Sequence, residues 1–132
     1  NGRHRTDKSV RWISKRAARG DAQAQLNCAL CYYHGEDDLG VAQDHEMAVQ
    51  FFSLSAEQGL AQAQHELAGC YDQGTWGLVQ DDAMAAQYYR LAADQGHADA
   101  QLRSGVCYDE GRGEVQDHER ATRLYTQAAE QG

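Results

Sequence analysis

The chain has 132 residues, a net charge of −8 at neutral pH and a mean hydropathy of −0.75. No apolar run approaches the roughly 18 residues that a membrane-spanning helix needs, so no membrane span is expected. The charge is uneven, because residues 1–20 hold seven Lys or Arg against Asp7, which leaves −14 for residues 21–132. An acidic body repels phosphate backbones, and this composition therefore argues against nucleic-acid binding by the larger part of the chain.

The basic N-terminal segment, residues 1–20, is predicted to end in an unpaired helix over residues 9–20. Trp12 lies eight residues before Gly20, as Phe51 lies eight residues before Gly59. This spacing indicates an isolated copy of the second helix of a repeat. Its cluster of Lys and Arg is typical of a solvated face, and contact with an anionic surface is the alternative.

Three segments of similar sequence follow, over residues 21–59, 60–96 and 97–132, and each closes on glycine. Their lengths of 39, 37 and 36 residues are typical of repeat arrays. A single repeat is too small to bury its own apolar face, so stacking of neighbours supplies the core and leaves an extended surface for binding. The sequence predicts an all-α solenoid whose default function is to bind another molecule.

Each repeat is predicted to contain two helices, A and B. Helix A has small or apolar residues at intervals of three and four and ends at Gly35, Gly74 or Gly111. Helix B is expected to begin after an aspartate, since an aspartate side chain caps the free amides of a first turn. These caps are Asp44, Asp81 and Asp117, and the columns expected to pack are Ala29, Ala68, Gly105; Tyr32, Tyr71, Tyr108; Ala48, Ala85, Ala121; Phe51, Tyr88, Leu124; Phe52, Tyr89, Tyr125; and Ala56, Ala93, Ala129.

Four cysteines are predicted to be small buried hydrophobic residues. Cys31, Cys70 and Cys107 occupy one column of the repeat, and equivalent positions of stacked repeats lie farther apart than the roughly 7 Å that a disulfide allows. Cys28, Cys31 and His34 form a C-x-x-C-x-x-H sequence, but a zinc site needs a fourth ligand. We therefore predict neither a disulfide nor a metal site.

The pattern A-x-A-Q-x-x-L-G-x-x-Y-x-x-G, followed by an aspartate, an alanine, an aromatic pair and A-A-x-Q-G, resembles the Sel1-like repeat, a relative of the tetratricopeptide repeat. The resemblance implies a right-handed α-solenoid of stacked helix-turn-helix repeats that acts as a protein-interaction scaffold. Cys28 and Ser104 replace the leucine of the family pattern, and the first loop, residues 35–44, is longer than the others. Helix B lacks cysteine, so the family's subtype with a disulfide between its two helices is not indicated.

The resemblance also places helix A on a concave face, where positions not needed for packing would contact a partner. Because these positions are three and four residues apart, they share one side of each helix. They are Gln23, Leu26, Leu30, Tyr33 and His34; Gln62, His65, Asp72 and Gln73; and Asp99, Leu102, Val106, Asp109 and Glu110. This partly apolar and partly acidic face predicts a partner segment that is apolar with basic flanks.

The sequence contains no catalytic motif and no glycine-rich phosphate loop, so neither an enzyme nor a bound cofactor is predicted. Trp76 lies in a loop outside the core columns and is a further candidate anchor for a partner. Two functions remain open: an adaptor that binds a partner segment reversibly in the concave groove, and a fixed structural subunit that packs inside a larger complex through its outer face, loops or ends.

Overall fold

The computed structural model describes residues 14–35 and 40–131. This part of the chain is helical without strands: α1 (14–18), α2 (Ala22–His34), α3 (His45–Glu57), α4 (Ala61–Gln73), α5 (Asp82–Asp94), α6 (Ala98–Glu110) and α7 (His118–Gln131). The fold is therefore all-α, as predicted. Residues 9–13 of the predicted N-terminal helix, with Trp12, lie outside the described residues. None of the described helices is long and apolar enough to cross a membrane.

The helices group into two compact bodies, which we call the N-terminal body (described residues 14–35 and 40–63) and the C-terminal body (described residues 64–131). In the N-terminal body, α2 packs on α3, and in the C-terminal body α6 packs on both α5 and α7. The division falls within α4, in the second sequence repeat. Each body is described by itself below.

The predicted helix starts are confirmed by the observed caps. The side chains of Asp44, Asp81 and Asp117 accept hydrogen bonds from the backbone amides of Met47, Met84 and Arg120, each at 3.1 Å. These contacts satisfy amides that the first turn of a helix leaves without a partner. A short local motif therefore determines where α3, α5 and α7 begin.

The core of the N-terminal body joins α1, α2 and α3. Ala17, Ala24 and Cys28 are buried together, with Phe51 packed against them. Tyr32 stacks on Phe51 at a ring distance of 5.9 Å and an interplanar angle of 3°. The tyrosine column predicted from the sequence is thus part of the packing in this repeat.

The core of the C-terminal body has the same alternation of small and aromatic residues. Ala68, Ala85, Ala86, Tyr89 and Cys107 form one buried cluster, and Tyr71 and Tyr88 pack against it. Gly105 provides a close contact between α6 and α7, since a Cβ atom there would lie 2.7 Å from the Tyr125 ring. The predicted small-residue contacts at Ala68 and Gly105 are confirmed.

Buried glutamines of the A-x-A-Q pattern join successive helices. Gln25 donates to the Ala17 carbonyl at 3.1 Å, and Gln101 donates to the Ala93 carbonyl at 3.3 Å. Each of the two also accepts a hydrogen bond from the glutamine near the end of its own repeat, Gln58 or Gln131, at 2.6 Å. Because a buried side-chain amide needs hydrogen-bond partners, these bonds help to fix how each helix A packs on its neighbours.

Candidate partner-binding surfaces

The predicted surface residues differ widely in exposure. Leu26 is buried, with only 5% of its surface exposed, so it belongs to the core and not to an accessible surface. The exposed members are Gln23, His34, Gln62, Gln73, Asp99, Leu102 and Glu110, and the partly buried ones are Leu30, Tyr33, His65, Asp72, Val106, Asp109 and Trp76. Exposure alone therefore does not define one continuous face.

Two of the predicted surface residues of the second repeat, His65 and Asp72, contact the third repeat. His65 of α4 stacks on His97 at a ring distance of 4.6 Å, and its ring lies 5.8 Å from that of Tyr89. Asp72 accepts a hydrogen bond from the Arg112 guanidinium at 2.8 Å. This side of α4 is a contact between repeats within the C-terminal body, and helical spacing alone does not reveal that.

Arg112 lies near three carboxylates, of which Asp72 and Glu110 belong to the predicted surface. Besides Asp72, its guanidinium lies 3.5 Å from Asp82 and 3.6 Å from Glu110. The adjacent carboxylates, Asp72 first, raise the pKa of Arg112. Because one guanidinium lies near three carboxylates, the local net charge is negative and attracts basic groups.

The equivalent side of the third repeat forms a surface that we call the end face. Leu102 of α6 is 47% exposed and lines a cavity of about 380 Å³. The end face consists of the lining residues Ala98, Asp99, Leu102, Tyr125, Ala128, Ala129 and Gln131. Asp109 and Glu110 lie close enough to Tyr125 to raise its pKa further, after the effect of burial. The end face is apolar and has carboxylates beside it.

The remaining predicted residues have other surroundings. Tyr33 packs against Phe52 and His45, at ring distances of 6.3 and 5.9 Å. Trp76 is partly buried and has a positive φ of 57°, which is uncommon for a bulky side chain. The loop at Trp76 therefore holds a specific conformation.

The four cysteines are free thiols; Cys28, Cys70 and Cys107 are buried as predicted, whereas Cys31 is only partly buried. Burial raises the pKa of both Cys70 and Cys107 to about 11 and also raises the pKa of Cys28, so these thiols stay protonated at neutral pH. In residues 14–35 and 40–131, no group of three or more His, Cys, Asp or Glu is arranged to hold a metal ion. The described geometry thus assigns the cysteines a packing role.

A second cavity of about 320 Å³ was not anticipated from the sequence. We call it the arginine cavity because Arg90, Arg120 and Arg123 line it, together with Ala93, Asp94, Ser104, Tyr108, Leu124 and Gln127. It shares no lining residue with the end face. The available signal was that only five Lys or Arg follow residue 20, and all five lie in one repeat-length stretch, residues 90–123.

The start of α6 is expected to be sensitive to pH. His97 accepts a hydrogen bond from the Ala100 amide through Nδ1 at 3.1 Å, and burial and the adjacent His65 lower its pKa, whereas Asp99 and Glu66 act in the opposite direction. A histidine with a lowered native pKa is protonated first in the unfolded chain, so its stabilisation is lost as pH falls below about 6.5. The thermal midpoint should fall between pH 7.5 and 5.5.

The matched variant for this prediction is His97→Asn, which keeps a capping side chain and does not titrate. Thermal melts across the same pH range should fall less steeply for the variant than for the parent chain. Parallel pH profiles would show that His97 does not cause the loss.

The arrangement of helix pairs, each made of a short capped helix A and a short capped helix B, defines a helical-repeat protein. The Sel1 repeat family model matches residues 22–60, 61–97 and 98–132. The chain belongs to the Sel1 repeat family, whose members typically act as protein-interaction scaffolds. A search of curated protein sequences gave no match.

Solved structures support this assignment. The chain is 36% identical to a Sel1 repeat protein from Oxalobacter formigenes, with a TM-score of 0.81, over 92% of this chain and 90% of that one. It is 35% identical to c5321, a protective antigen of uropathogenic Escherichia coli with an SLR fold, with a TM-score of 0.85, over 94% of this chain. It spans 26% of that antigen. Helicobacter pylori cysteine rich protein B shares the fold, with a TM-score of 0.67 and 23% identity over 93% of this chain and 90% of that one.

Proposed function

We propose that this chain is a non-catalytic protein-interaction scaffold or adaptor that binds an apolar, basic-flanked segment of a partner protein. The observation that carries the proposal is the exposed Leu102, which lines the end-face cavity together with Asp99.

Apolar contact is the expected source of affinity at this surface. The exposed Leu102 stands beside Tyr125, Ala128 and Ala129 around one cavity, so a partner side chain placed there removes apolar surface from water. Aromatic and aliphatic groups at the centre of an interface usually carry most of its binding energy. An apolar partner segment fits this composition.

Charge favours basic residues at the ends of that segment. Asp99 belongs to the end face, and Asp109 and Glu110 lie near Tyr125. Asp109 Oδ1 lies 2.6 Å from His118 Nδ1, and this contact is on the surface of the body. Carboxylates around an apolar patch speed the encounter with a positively charged partner and repel an acidic one.

Leu102→Asp is expected to increase the dissociation rate of a partner about tenfold, because it places a charge in the apolar patch. The partner is first isolated by affinity capture and purified, and binding is measured by surface plasmon resonance. Leu91→Asp is the matched control, since Leu91 is 39% exposed on α5 and lies outside the end face. Equal effects of the two variants would contradict the proposal.

The double variant Asp109→Lys, Glu110→Lys is expected to slow association and to weaken its dependence on salt. Glu46→Lys with Glu57→Lys changes the net charge equally at exposed positions of α3 and controls for the overall field. If the affinity of the partner is unchanged by these substitutions but is lost when α5 or the Trp76 loop is altered, the chain is instead a structural subunit.

A further inference from the structure

The arginine cavity lies where two side chains become smaller between the second and the third repeat. Leu124 stands where the earlier repeats have Phe51 and Tyr88, and Ser104 stands where the second repeat has Leu67. Leu67 is a fully buried core side chain, with 1% exposure. Both replacements line the cavity, so the missing side-chain volume accounts for the open space between α5, α6 and α7.

Because Leu124 has no aromatic ring, the tyrosine that packs on this position has a different partner in the third repeat. Tyr71 stacks on Tyr88 at 6.1 Å with an interplanar angle of 4°. The equivalent Tyr108 instead has the Arg120 guanidinium over its ring, at 5.3 Å from the centroid. Arg120 also donates to the Tyr108 hydroxyl at 3.1 Å. A cation therefore occupies the place of an aromatic side chain.

The cavity places cationic side chains in an otherwise acidic chain. Three arginines line it, and Asp94 is the single carboxylate among the lining residues. Two of the arginines have carboxylate partners outside the lining, since Arg90 lies 2.6 Å from Glu114 and Arg123 lies 3.3 Å from Glu119.

The third arginine, Arg120, makes the two contacts with Tyr108 described above, one to its hydroxyl and one to its ring. A guanidinium has five N–H donors, and one hydrogen bond to the phenol leaves several of them for an incoming acceptor.

These arginines are not required by the repeat. The positions equivalent to Arg120 carry Met47 and Met84, and those equivalent to Arg123 carry Gln50 and Gln87. The same helix therefore forms in the earlier repeats without a positive charge at these positions. In the third repeat the smaller Leu124 and Ser104 therefore occur together with two added arginines, which is the combination expected of a binding site.

We propose that the arginine cavity binds a glutamate or aspartate side chain of an acidic segment in a partner protein. Arg120 and Arg123 supply guanidinium donors to the carboxylate, which matches their planar geometry. Ala93 and Leu124 accept an apolar neighbour of that residue. A polyphosphate chain is disfavoured, because the net charge of −8 repels it, whereas a short acidic segment carries few charges.

The test uses two capped peptides, Leu-Glu-Glu-Leu and Leu-Gln-Gln-Leu, titrated into the intact chain and followed by NMR chemical shifts. The glutamate peptide should give saturable shifts of Arg120, Arg123 and Leu124, and the glutamine peptide should bind at least about tenfold more weakly. Arg120→Gln should weaken the glutamate peptide about tenfold. Arg103→Gln, an exposed arginine of α6 outside the cavity, makes the same charge change and should leave binding almost unchanged.

Leu124→Tyr tests the cavity without changing charge, because it restores an aromatic ring that the column carries in both earlier repeats. It should abolish peptide binding and keep the parent's thermal midpoint. Should that variant fail to fold, the comparison of Arg120→Gln with Arg103→Gln still decides. The proposal is overturned by equal losses in those two variants, by the absence of saturable binding at millimolar peptide, or by inorganic phosphate binding as tightly as the glutamate peptide.

Discussion

Gly113→Ala is expected to lower the free energy of unfolding of the C-terminal body by about 2–4 kcal/mol. Gly113 has φ of +72°, a backbone conformation that L side chains rarely adopt. A Cβ atom there would clash with the backbone carbonyl oxygen of Asp82, lie 2.6 Å from its carbonyl carbon and lie 2.9 Å from the Ala86 Cβ. The carbonyl and the buried alanine cannot move aside as a flexible side chain would.

The loop around Gly113 also connects two of the ion pairs described above. Arg112 pairs with Asp72, and Glu114 pairs with Arg90. A shift of this loop would therefore disturb the neighbourhood of the arginine cavity as well as the packing on α5. We expect the variant to lose both ion pairs in part, in addition to its backbone strain.

Gly96→Ala is the control, because Gly96 has φ of +90° but its added Cβ would meet nothing within 4 Å. This variant should lower the free energy of unfolding only through conformational strain, by about 1 kcal/mol. Urea unfolding followed by circular dichroism compares the two variants. A Gly96 variant as unstable as the Gly113 variant would show that the close approach to Asp82 contributes nothing.

The helices could be predicted because their signals are local. Asp44 and Asp81 cap helices that begin at the next residue, and Gly35 closes α2. The repeat pattern added the packing columns, since a position that is small in every repeat must face a neighbour. Ala68 and Gly105 were found in this way before any contact was known.

The candidate surface was harder to predict, because helical spacing gives a face but does not show what covers it. His65 and Asp72 share a side of α4, yet their partners His97 and Arg112 lie in the next repeat. Leu26 is buried for the same kind of reason, although its spacing matched the predicted face. Of the predicted surface residues that are exposed, Leu102 is the apolar one.

The arginine cavity could have been anticipated from the columns, by asking where a large residue becomes small. Leu124 and Ser104 mark that place, and the sequence shows both. Their significance depends on three helices meeting around them, which is a property of the tertiary structure. Arg120 and Arg123 beside them are the basis of the proposed binding site.

Ala68→Leu is expected to destabilise the C-terminal body by about 1–3 kcal/mol, because it adds three carbon atoms to a filled core. Ala68 has no exposed surface and lies in the cluster with Ala85, Ala86, Tyr89 and Cys107. Protein interiors are close-packed, so the added side chain can be accommodated only by moving α4 or by forcing Tyr89 from its position.

The position of Tyr89 makes this variant informative beyond its stability. The His65 ring lies 5.8 Å from the Tyr89 ring and stacks on His97, so a displaced Tyr89 should also change the start of α6. We expect the NMR signals of His65 and His97 to shift along with the loss in urea midpoint. Gln87→Leu is the control, since it adds a leucine at an exposed position of α5 and should change stability by less than about 0.5 kcal/mol. Similar urea midpoints for the two leucine variants would mean that α4 does not pack on this cluster through Ala68.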